Sequence, residues 1–262
     1  MTRNKKIRRV LYSLLITLLV FVLGLATIIL YPQSLFANKV EYKQFSVYSN
    51  EKIGEALQPI LEKAVSLVEK SELYDSIYQV DIFLSHNTFF NKIDDKVFGQ
   101  GPTARAIDNN LVFKAGVDVN KNVVYTTFHK PCEQPFAYLI AHEMMHCLQA
   151  HKYGILKFNP FRHPEMWKLE GYPEYIARQK FAEPIDNFKK EIKRFFELKP
   201  KQTDIWILIE EGGCEVPEFY YKGRLMTEYL INVRGLTYDH ILKDHRSEEK
   251  IYDEMIEWAT IE

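Results

Sequence analysis

The side chains in this sequence best placed for chemistry are two histidines, His142 and His146, which lie four positions apart in an apolar segment. The apolar character of residues 137–150 predicts one buried helix. Residues four apart on a helix share a face, with about 5–6 Å between their Cβ atoms, so both imidazoles can bind one metal ion. Glu143 lies one step around the helix, where its carboxylate can take a proton from metal-activated water. The spacing predicts metal-assisted hydrolysis, with zinc as the metal.

A third metal ligand is expected farther along the chain. In the extended form of this motif a glycine and a third histidine follow, but Gln149 and Lys152 occupy those positions here. Residues 167–177 instead offer two carboxylates, Glu170 and Glu174, which are four positions apart and would face the same way on a helix. Taken alone, the segment is equally compatible with a surface helix whose acidic residues favour the first turn.

Taken with the histidine pair, this segment resembles the second zinc helix of the gluzincin metallopeptidases, in particular the aminopeptidase N type, which carries Glu-Gly followed by acidic and aromatic residues. The resemblance implies that Glu170 is the third zinc ligand and that Glu174 accepts a hydrogen bond from a ligating imidazole. Glu165 lies nearer to the family's usual distance from the second histidine, and Pro173 stands where the family more often has Ala or Ser. Because proline is tolerated only in the first turn of a helix, this helix is predicted to begin near Leu169 or Glu170.

The segment 219–224, Phe-Tyr-Tyr-Lys-Gly-Arg, extends the resemblance. Aminopeptidase N-like enzymes carry Tyr-x-Lys-Gly after the glutamate ligand, and the tyrosine donates a hydrogen bond to the oxyanion that amide hydrolysis creates. The resemblance implies this role for Tyr220, with its neighbour Tyr221 as the competing candidate. The Gly-x-Met-Glu-Asn stretch that binds a free amino terminus in aminopeptidases is not found in the sequence. A strand over residues 122–128 could instead hold an extended peptide at a sheet edge, which would suit an endopeptidase.

The N-terminal segment predicts a membrane anchor. Five basic residues within positions 3–9 precede residues 10–31, which contain no charged residue and are rich in Leu, Ile and Val. At about 1.5 Å per residue, such a helix spans a bilayer core of about 30 Å. The basic cluster is expected to stay in the cytoplasm, which places the rest of the chain outside it. An uncleaved anchor is preferred to a signal peptide, because only Leu35-Phe36-Ala37 approximates a cleavage site.

Length and composition suit one globular domain after this anchor. The chain has 262 residues, 47% of them hydrophobic, and a net charge of −1, which gives no indication of nucleic-acid binding. Residues 1–37 are assigned to the basic end and anchor, and residues 38–262 to an α+β domain with an N-terminal mixed sheet and a helical second half; the resemblance implies the zincin-like (thermolysin-like) type. The predicted strands are 41–49, 78–84, 103–107, 111–113 and 122–128, and the predicted helices besides the metal helix are 54–74, 170–181, 184–198, 204–209, 218–233 and 247–259.

The three cysteines are compatible with one disulfide bond. Cys132 and Cys214 are the candidate pair, in a compartment that permits disulfides. Cys147 directly follows the second histidine and points away from the metal face, so it is expected to be a small buried residue rather than a ligand.

The sequence therefore predicts a single-pass, membrane-anchored peptidase that binds one Zn²⁺ ion and hydrolyses peptide or protein substrates. The alternative is a catalytically inactive binding or assembly module on the same scaffold, tethered to the membrane, although an intact Glu143 argues against it. A metal-free helical domain with fortuitous histidines is a more distant alternative.

Overall fold

The chain folds around a mixed β-sheet that is followed by a mostly helical half. A computed structural model describes residues 3–99, 103–126, 132–158, 162–178, 184–198, 206–208 and 215–261. The helices are α1 (Arg3–Leu30), α2 (Leu57–Val68), α3 (Phe89–Phe98), α4 (Phe136–Tyr153), α5 (Met166–Ala177), α6 (Ile185–Leu198), α7 (Glu218–Glu228), α8 (Tyr238–Lys243) and α9 (Glu248–Thr260), with a 3-10 turn at Pro32–Leu35 and a π-helical turn at Tyr229–Val233. The strands are β1 (Asn38–Tyr42), β2 (Phe45–Ser49), β3 (Val80–Leu84), β4 (Ala104–Ile107), β5 (Asn110–Phe113), β6 (Gly116–Asp118), β7 (Val123–Thr126), β8 (Cys132–Pro135), β9 (Trp206–Leu208) and β10 (Glu215–Pro217). The predicted α+β class, with one N-terminal apolar helix and a mixed sheet, is confirmed.

Five strands form the main sheet, in the order β1-β2-β3-β5-β4. Strands β2, β3 and β5 run parallel to one another, whereas β1 and β4 are antiparallel edges. Side chains alternate across β3, so that Ile82 enters the main core with Leu61 of α2, while Phe83 joins a second core on the opposite face. Helix α4 packs on the first face beside α2 and lies against the edge strand β4.

The second core joins the apolar helix α1 to the sheet. Ile29, in the last turn of α1, is 7% exposed and belongs to the same cluster as Phe83. Phe36 extends this contact, because its ring centroid lies 5.3 Å from that of Phe83. The carbonyl oxygen of Leu30 accepts a hydrogen bond of 2.9 Å from Nδ2 of Asn110. The end of α1 is therefore built into the folded domain, and its contacts cross the boundary predicted at residue 37.

The remainder of α1 is apolar and exposed. Within residues 7–30 the most apolar 18-residue window has a mean hydropathy of 2.8, and residues 10–24 are exposed without exception. By length and composition this helix can cross a membrane, a property that signal sequences share. Exposed apolar surfaces of this extent are typical of membrane or protein interaction sites.

Two predicted elements differ in number or type from those observed, and one observed helix was not predicted. Residues 41–49 form the two strands β1 and β2, with Lys43 at a φ of 51° in the turn between them, rather than one strand. The helix predicted over residues 204–209 is wrong in its described part, because Trp206–Leu208 form β9 and pair with β10. Three apolar residues are too few to distinguish helical from strand spacing. Helix α3 was not predicted. Only Phe90 and Asp94 of this helix are buried, and two positions are too few to show a helical period.

Helix α5 begins earlier than predicted, at Met166, so that Pro173 lies inside it. A proline lacks the N–H that would donate to the carbonyl four residues earlier, here that of Leu169. The side chain of Gln149 on α4 replaces the missing donor, because its Nε2 lies 3.0 Å from the Leu169 oxygen. The predicted start near Leu169 or Glu170 is wrong because a contact with another helix compensates for the proline.

Helices α5 and α7 cross in direct backbone contact at two glycines. A Cβ atom on Gly171 would lie 2.5 Å from the carbonyl oxygen of Gly223 and 2.7 Å from Oγ1 of Thr227. Interiors are close-packed, so no side chain fits at this crossing without moving a helix. The contact thereby sets the distance between Glu170, which precedes the first glycine, and Tyr220, which lies one turn before the second.

Gly171→Ala should destabilise the domain by about 1–3 kcal/mol, the usual cost of overpacking, even though alanine is the better helix former. Gly223→Ala should cost less, because its Cβ would meet the Trp167 oxygen at 3.2 Å. Gly54→Ala is the control, since a Cβ there meets only Oδ1 of Asn120, at 3.9 Å. Chemical denaturation followed by circular dichroism measures all three differences. A Gly171→Ala variant as stable as the parent would show that the two helices can separate without cost.

Candidate metal centre

Helices α4 and α5 bring three side chains together, here named the ligand group: His142, His146 and Glu170. Nε2 of His142 lies 3.2 Å from Nε2 of His146, and Oε2 of Glu170 lies 3.3 Å from the first nitrogen and 3.2 Å from the second. His142 and Glu170 are buried, and His146 is half-buried. The three atoms form a nearly equilateral triangle, and the group can hold a metal ion.

The spacing of the ligand group fits tetrahedral coordination. Zinc binds imidazole nitrogen and carboxylate oxygen at about 2.0–2.2 Å, which places neighbouring tetrahedral ligands about 3.3–3.5 Å apart. The observed separations of 3.2–3.3 Å lie at, or about 0.1 Å below, the short end of that range. Three protein ligands also leave a fourth position for water or substrate, as hydrolytic zinc sites require.

Charged neighbours hold His142 and change its pKa. Its Nδ1 lies 3.2 Å from Oε1 of Glu174, within ion-pair distance although outside the angle of a hydrogen bond. Glu174 in turn accepts a hydrogen bond from Nε of Arg178. Burial lowers the pKa of His142, but the contacts with Glu170 and Glu174 outweigh it and raise the pKa to about 10. A cation bound here must displace a proton, so the apparent metal affinity falls as the pH falls.

His146 is held by a residue whose role the motif comparison does not reveal. Its Nδ1 lies 2.9 Å from Oε1 of Gln149, a residue with 0% exposure. Besides the Leu169 carbonyl, Nε2 of Gln149 also donates to the hydroxyl of Tyr238 at 2.7 Å. The available sequence signal was Pro173, because a proline inside a helix leaves a carbonyl that needs a donor from elsewhere.

Glu143 lies beside the ligand group and lines a cavity, with 7% exposure. Burial raises its pKa above the usual range and outweighs the opposite effect of the two histidines. A carboxylate with a raised pKa is the stronger base, which suits proton transfer from water. For Glu170 the balance is reversed: burial favours the neutral form, but His146 and His142 outweigh it and lower the pKa, so that this carboxylate stays ionised.

Helix α7 sends its two adjacent tyrosines in different directions. Tyr220 lines the cavity, and its ring centroid lies 6.0 Å from that of His142. Burial and the charge of Glu170 raise the pKa of Tyr220 well above the usual value, so its hydroxyl remains a hydrogen-bond donor. Tyr221 instead donates to Oε1 of Glu191 on α6, at 2.6 Å. Of the two candidate tyrosines, Tyr220 is the one that faces the ligand group.

A cavity of about 320 Å³ opens beside the ligand group, between α4, α5 and the edge strand β4. Its lining includes an apolar wall formed by Ile155, Phe158, Met166 and Leu169. A strand is observed at Val123–Thr126, within the predicted residues 122–128, but its suggested role as a peptide-binding sheet edge is wrong. Strand β7 lies between β6 and β8, so both of its edges are already paired. The strand edge that lines the cavity is that of β4. The sequence pattern did not predict this edge, because the order of strands in a sheet depends on long-range pairing.

Glu165, the competing carboxylate, lies outside the ligand group. It precedes α5, its side chain is 56% exposed, and it pairs with Nζ of Lys168 at 3.0 Å. Among the cysteines, Cys132 is disulfide-bonded, and Cys147 is free and buried as expected. The predicted partner Cys214 lies outside the described residues.

His146→Ala and Glu170→Ala should each weaken zinc binding by more than about 100-fold, which exceeds the loss typical of residues that only support a ligand. Glu165→Ala is the matched control, because it removes a nearby carboxylate from outside the ligand group. Zinc content after dialysis and competition with a chromophoric chelator measure the change. If Glu170→Ala keeps its zinc while Glu165→Ala loses it, Glu165 is the ligand instead.

Comparisons with protein-family models, with curated proteins and with solved structures find no match to this chain. What is established is the geometry: a buried His-His-Glu group that can hold a metal ion, in an α+β protein with one apolar N-terminal helix.

Proposed function

We propose that this chain is a zinc metallopeptidase of the gluzincin type, anchored in a membrane by α1. The observation that carries the proposal is the convergence of the ligand group, whose donor atoms lie 3.2–3.3 Å apart beside the carboxylate of Glu143. Two imidazole nitrogens, one carboxylate and an open position are what a catalytic zinc ion needs.

Each residue of the site has a role in peptide-bond hydrolysis. Zinc held by the ligand group would act as a Lewis acid and lower the pKa of water toward neutrality. Glu143 accepts the proton of the attacking water and passes it to the leaving amine. Tyr220 donates a hydrogen bond to the carbonyl oxygen on which negative charge develops. Glu174 keeps the ring of His142 oriented with Nε2 toward the metal position.

The cavity supports an extended peptide as substrate. Strand β4 pairs only with β5 among the described strands, so its other edge can form backbone hydrogen bonds with a peptide. The apolar wall of the cavity can receive an apolar side chain of that peptide. The proposed substrates are therefore flexible peptides and unfolded protein segments.

In the proposed topology α1 is a retained single-pass anchor with its basic end in the cytoplasm and the catalytic domain outside. The second core supports retention. Cleavage after Ala37 would remove Ile29 and Phe36 and would expose the face of Phe83 that they cover. Loss of buried apolar groups of this size costs about 2–5 kcal/mol each, which a domain can rarely spare.

Glu143→Gln should reduce cleavage of an unfolded protein by about 100-fold or more, the usual contribution of a positioned base, because glutamine keeps the size of the side chain but cannot accept the proton. Zinc content should stay at about one ion per chain. Glu165→Gln is the control, since its side chain is 56% exposed. Mass spectrometry of the products and elemental analysis measure the two quantities.

Undiminished cleavage by Glu143→Gln would remove that residue from its role. If the zinc-loaded parent cleaves nothing across broad peptide libraries yet retains a defined partner from membrane extracts, the binding-module alternative is favoured over the peptidase.

Tyr220→Phe should lower kcat by about 100- to 1000-fold, as the loss of one oxyanion donor does, and should leave zinc affinity unchanged. Tyr221→Phe is the matched control, because the Tyr221 hydroxyl donates to Glu191 and Tyr221 does not line the cavity. Steady-state kinetics on a fluorogenic peptide separate kcat from KM. A larger effect at Tyr221 would reverse the assignment of the two tyrosines.

The full-length chain should stay in the membrane fraction after alkaline extraction and should keep its N-terminal residues, because α1 is both apolar and part of the second core. Intact-mass measurement of the purified protein detects any cleavage. Added protease should digest the C-terminal domain on the outer side of intact cells. A mature chain that begins after residue 37 would contradict the retained anchor.

A further inference from the structure

We propose that Gln149 and Pro173 form one positioning unit that presents Nε2 of His146 to the metal. The inference rests on the ligand group of the proposed function and not on peptidase activity. Gln149 stands where the extended zinc motif has a glycine, and Pro173 stands where the gluzincin family more often has Ala or Ser. In the fold they meet through the carbonyl of Leu169.

The first step is the carbonyl that Pro173 leaves without a helical donor. In a regular α-helix the oxygen of Leu169 would accept a hydrogen bond from the N–H of residue 173. Pro173 has no N–H and is buried within α5, whereas Leu169 is half-buried. The Leu169 oxygen faces the fully buried Gln149, and a carbonyl oxygen turned toward the interior is costly to leave without a donor. The proline therefore creates a fixed demand for a donor at this point of α5.

The second step is the orientation of the Gln149 amide. Its Nε2 donates to the Leu169 oxygen at 3.0 Å and to the hydroxyl of Tyr238 at 2.7 Å, which uses both of its protons. The opposite orientation would place Oε1 against the Leu169 oxygen, two acceptors in contact. A glutamine amide is nearly symmetric in shape, so a neighbour of one polarity decides its direction. The carbonyl beside Pro173 is such a neighbour, and it turns Oε1 toward His146.

The third step is the proton on His146. Oε1 of Gln149 lies 2.9 Å from Nδ1 of His146 and can only accept, so Nδ1 must carry the proton. Nε2 of the neutral ring then holds a lone pair, and it lies 3.2 Å from both Nε2 of His142 and Oε2 of Glu170. The orientation of a ligating imidazole by its other nitrogen is worth about 10- to 100-fold in metal affinity. Here that orientation begins at a proline in a different helix.

The two histidines are thus held by different chemistry. His142 is faced by the carboxylate of Glu174, whereas His146 is faced by a neutral amide whose polarity is set by backbone. A neutral partner adds no further negative charge to a pocket that already contains several carboxylates. The unit therefore orients His146 without adding to the cost of buried charge.

The test uses the full-length protein with Zn²⁺ alone as the probe. Gln149→Met keeps the length of the side chain but removes its hydrogen bonds, and it should weaken zinc affinity by about 10- to 100-fold. Pro173→Ala and Pro173→Val each restore an N–H that competes with Gln149 for the Leu169 oxygen, and both should weaken zinc affinity although the helix gains a hydrogen bond. In the Gln149→Met background, Pro173→Ala should change the affinity by less than about twofold. Pro59→Ala in the first turn of α2 is the control for the loss of a proline.

A second readout does not need bound metal. In the ¹H–¹⁵N spectrum of protein labelled at histidine, the Nδ1–H of His146 should be visible and slow to exchange with water, and Gln149→Met and Pro173→Ala should each abolish this protection. The Pro173 variants keep the test decisive if Gln149→Met fails to fold. The proposal is overturned if Pro173→Ala binds zinc as tightly as the parent with the Nδ1–H still protected, or if the losses in the double variant simply multiply. A parent that binds no zinc but shows the protected Nδ1–H would contradict the proposed function while leaving the positioning unit intact.

Discussion

The cost of buried charge governs the centre of this protein. Three carboxylates, those of Glu143, Glu170 and Glu174, lie together in a region largely removed from water. An ionised carboxylate without a partner is strongly unfavourable in such a place, so two imidazoles and the guanidinium of Arg178 face the group. Burial raises the pKa of both Glu170 and Glu143. For Glu170, direct contact with the two imidazoles outweighs burial and lowers the pKa, whereas for Glu143 burial prevails and the pKa is raised. The raised pKa values of His142 and His146 show that these carboxylates favour protons on the imidazoles, and a divalent ion bound there would displace those protons.

The packing of the helices places these charged side chains next to one another. Helix α4 is held against the main sheet, α5 is held to α4 through Gln149, and α7 is held to α5 where Gly171 meets Gly223. The Gly171–Gly223 contact joins backbone to backbone, and the Gln149 contact ends on a backbone carbonyl. The positions of Glu170 and Tyr220 are therefore inherited from helix crossings, and the precision of the site depends little on long, mobile side chains.

Local periodicity was sufficient to predict the parts of the site that lie on one helix. The i, i+4 spacing placed His142 beside His146, and the apolar run before residue 31 predicted α1. What sequence could not supply is contact between elements. The start of α5, the role of Gln149 and the edge position of β4 each depend on a neighbour more than ten residues away in the chain. Strand β9 was missed for the opposite reason, since three residues carry too little pattern to classify.

In the proposed topology, the docking of α1 to the sheet limits where the cavity can lie relative to the bilayer. With Ile29 buried and Leu30 bonded to Asn110, no slack chain separates the helix from the sheet. A domain on a flexible tether sweeps a volume that grows with linker length, whereas one joined this directly keeps a constant height and tilt. The cavity then stays at a constant distance from the lipid headgroups. A scissile bond reaches it only when the motion of the substrate brings that bond to this distance from the bilayer.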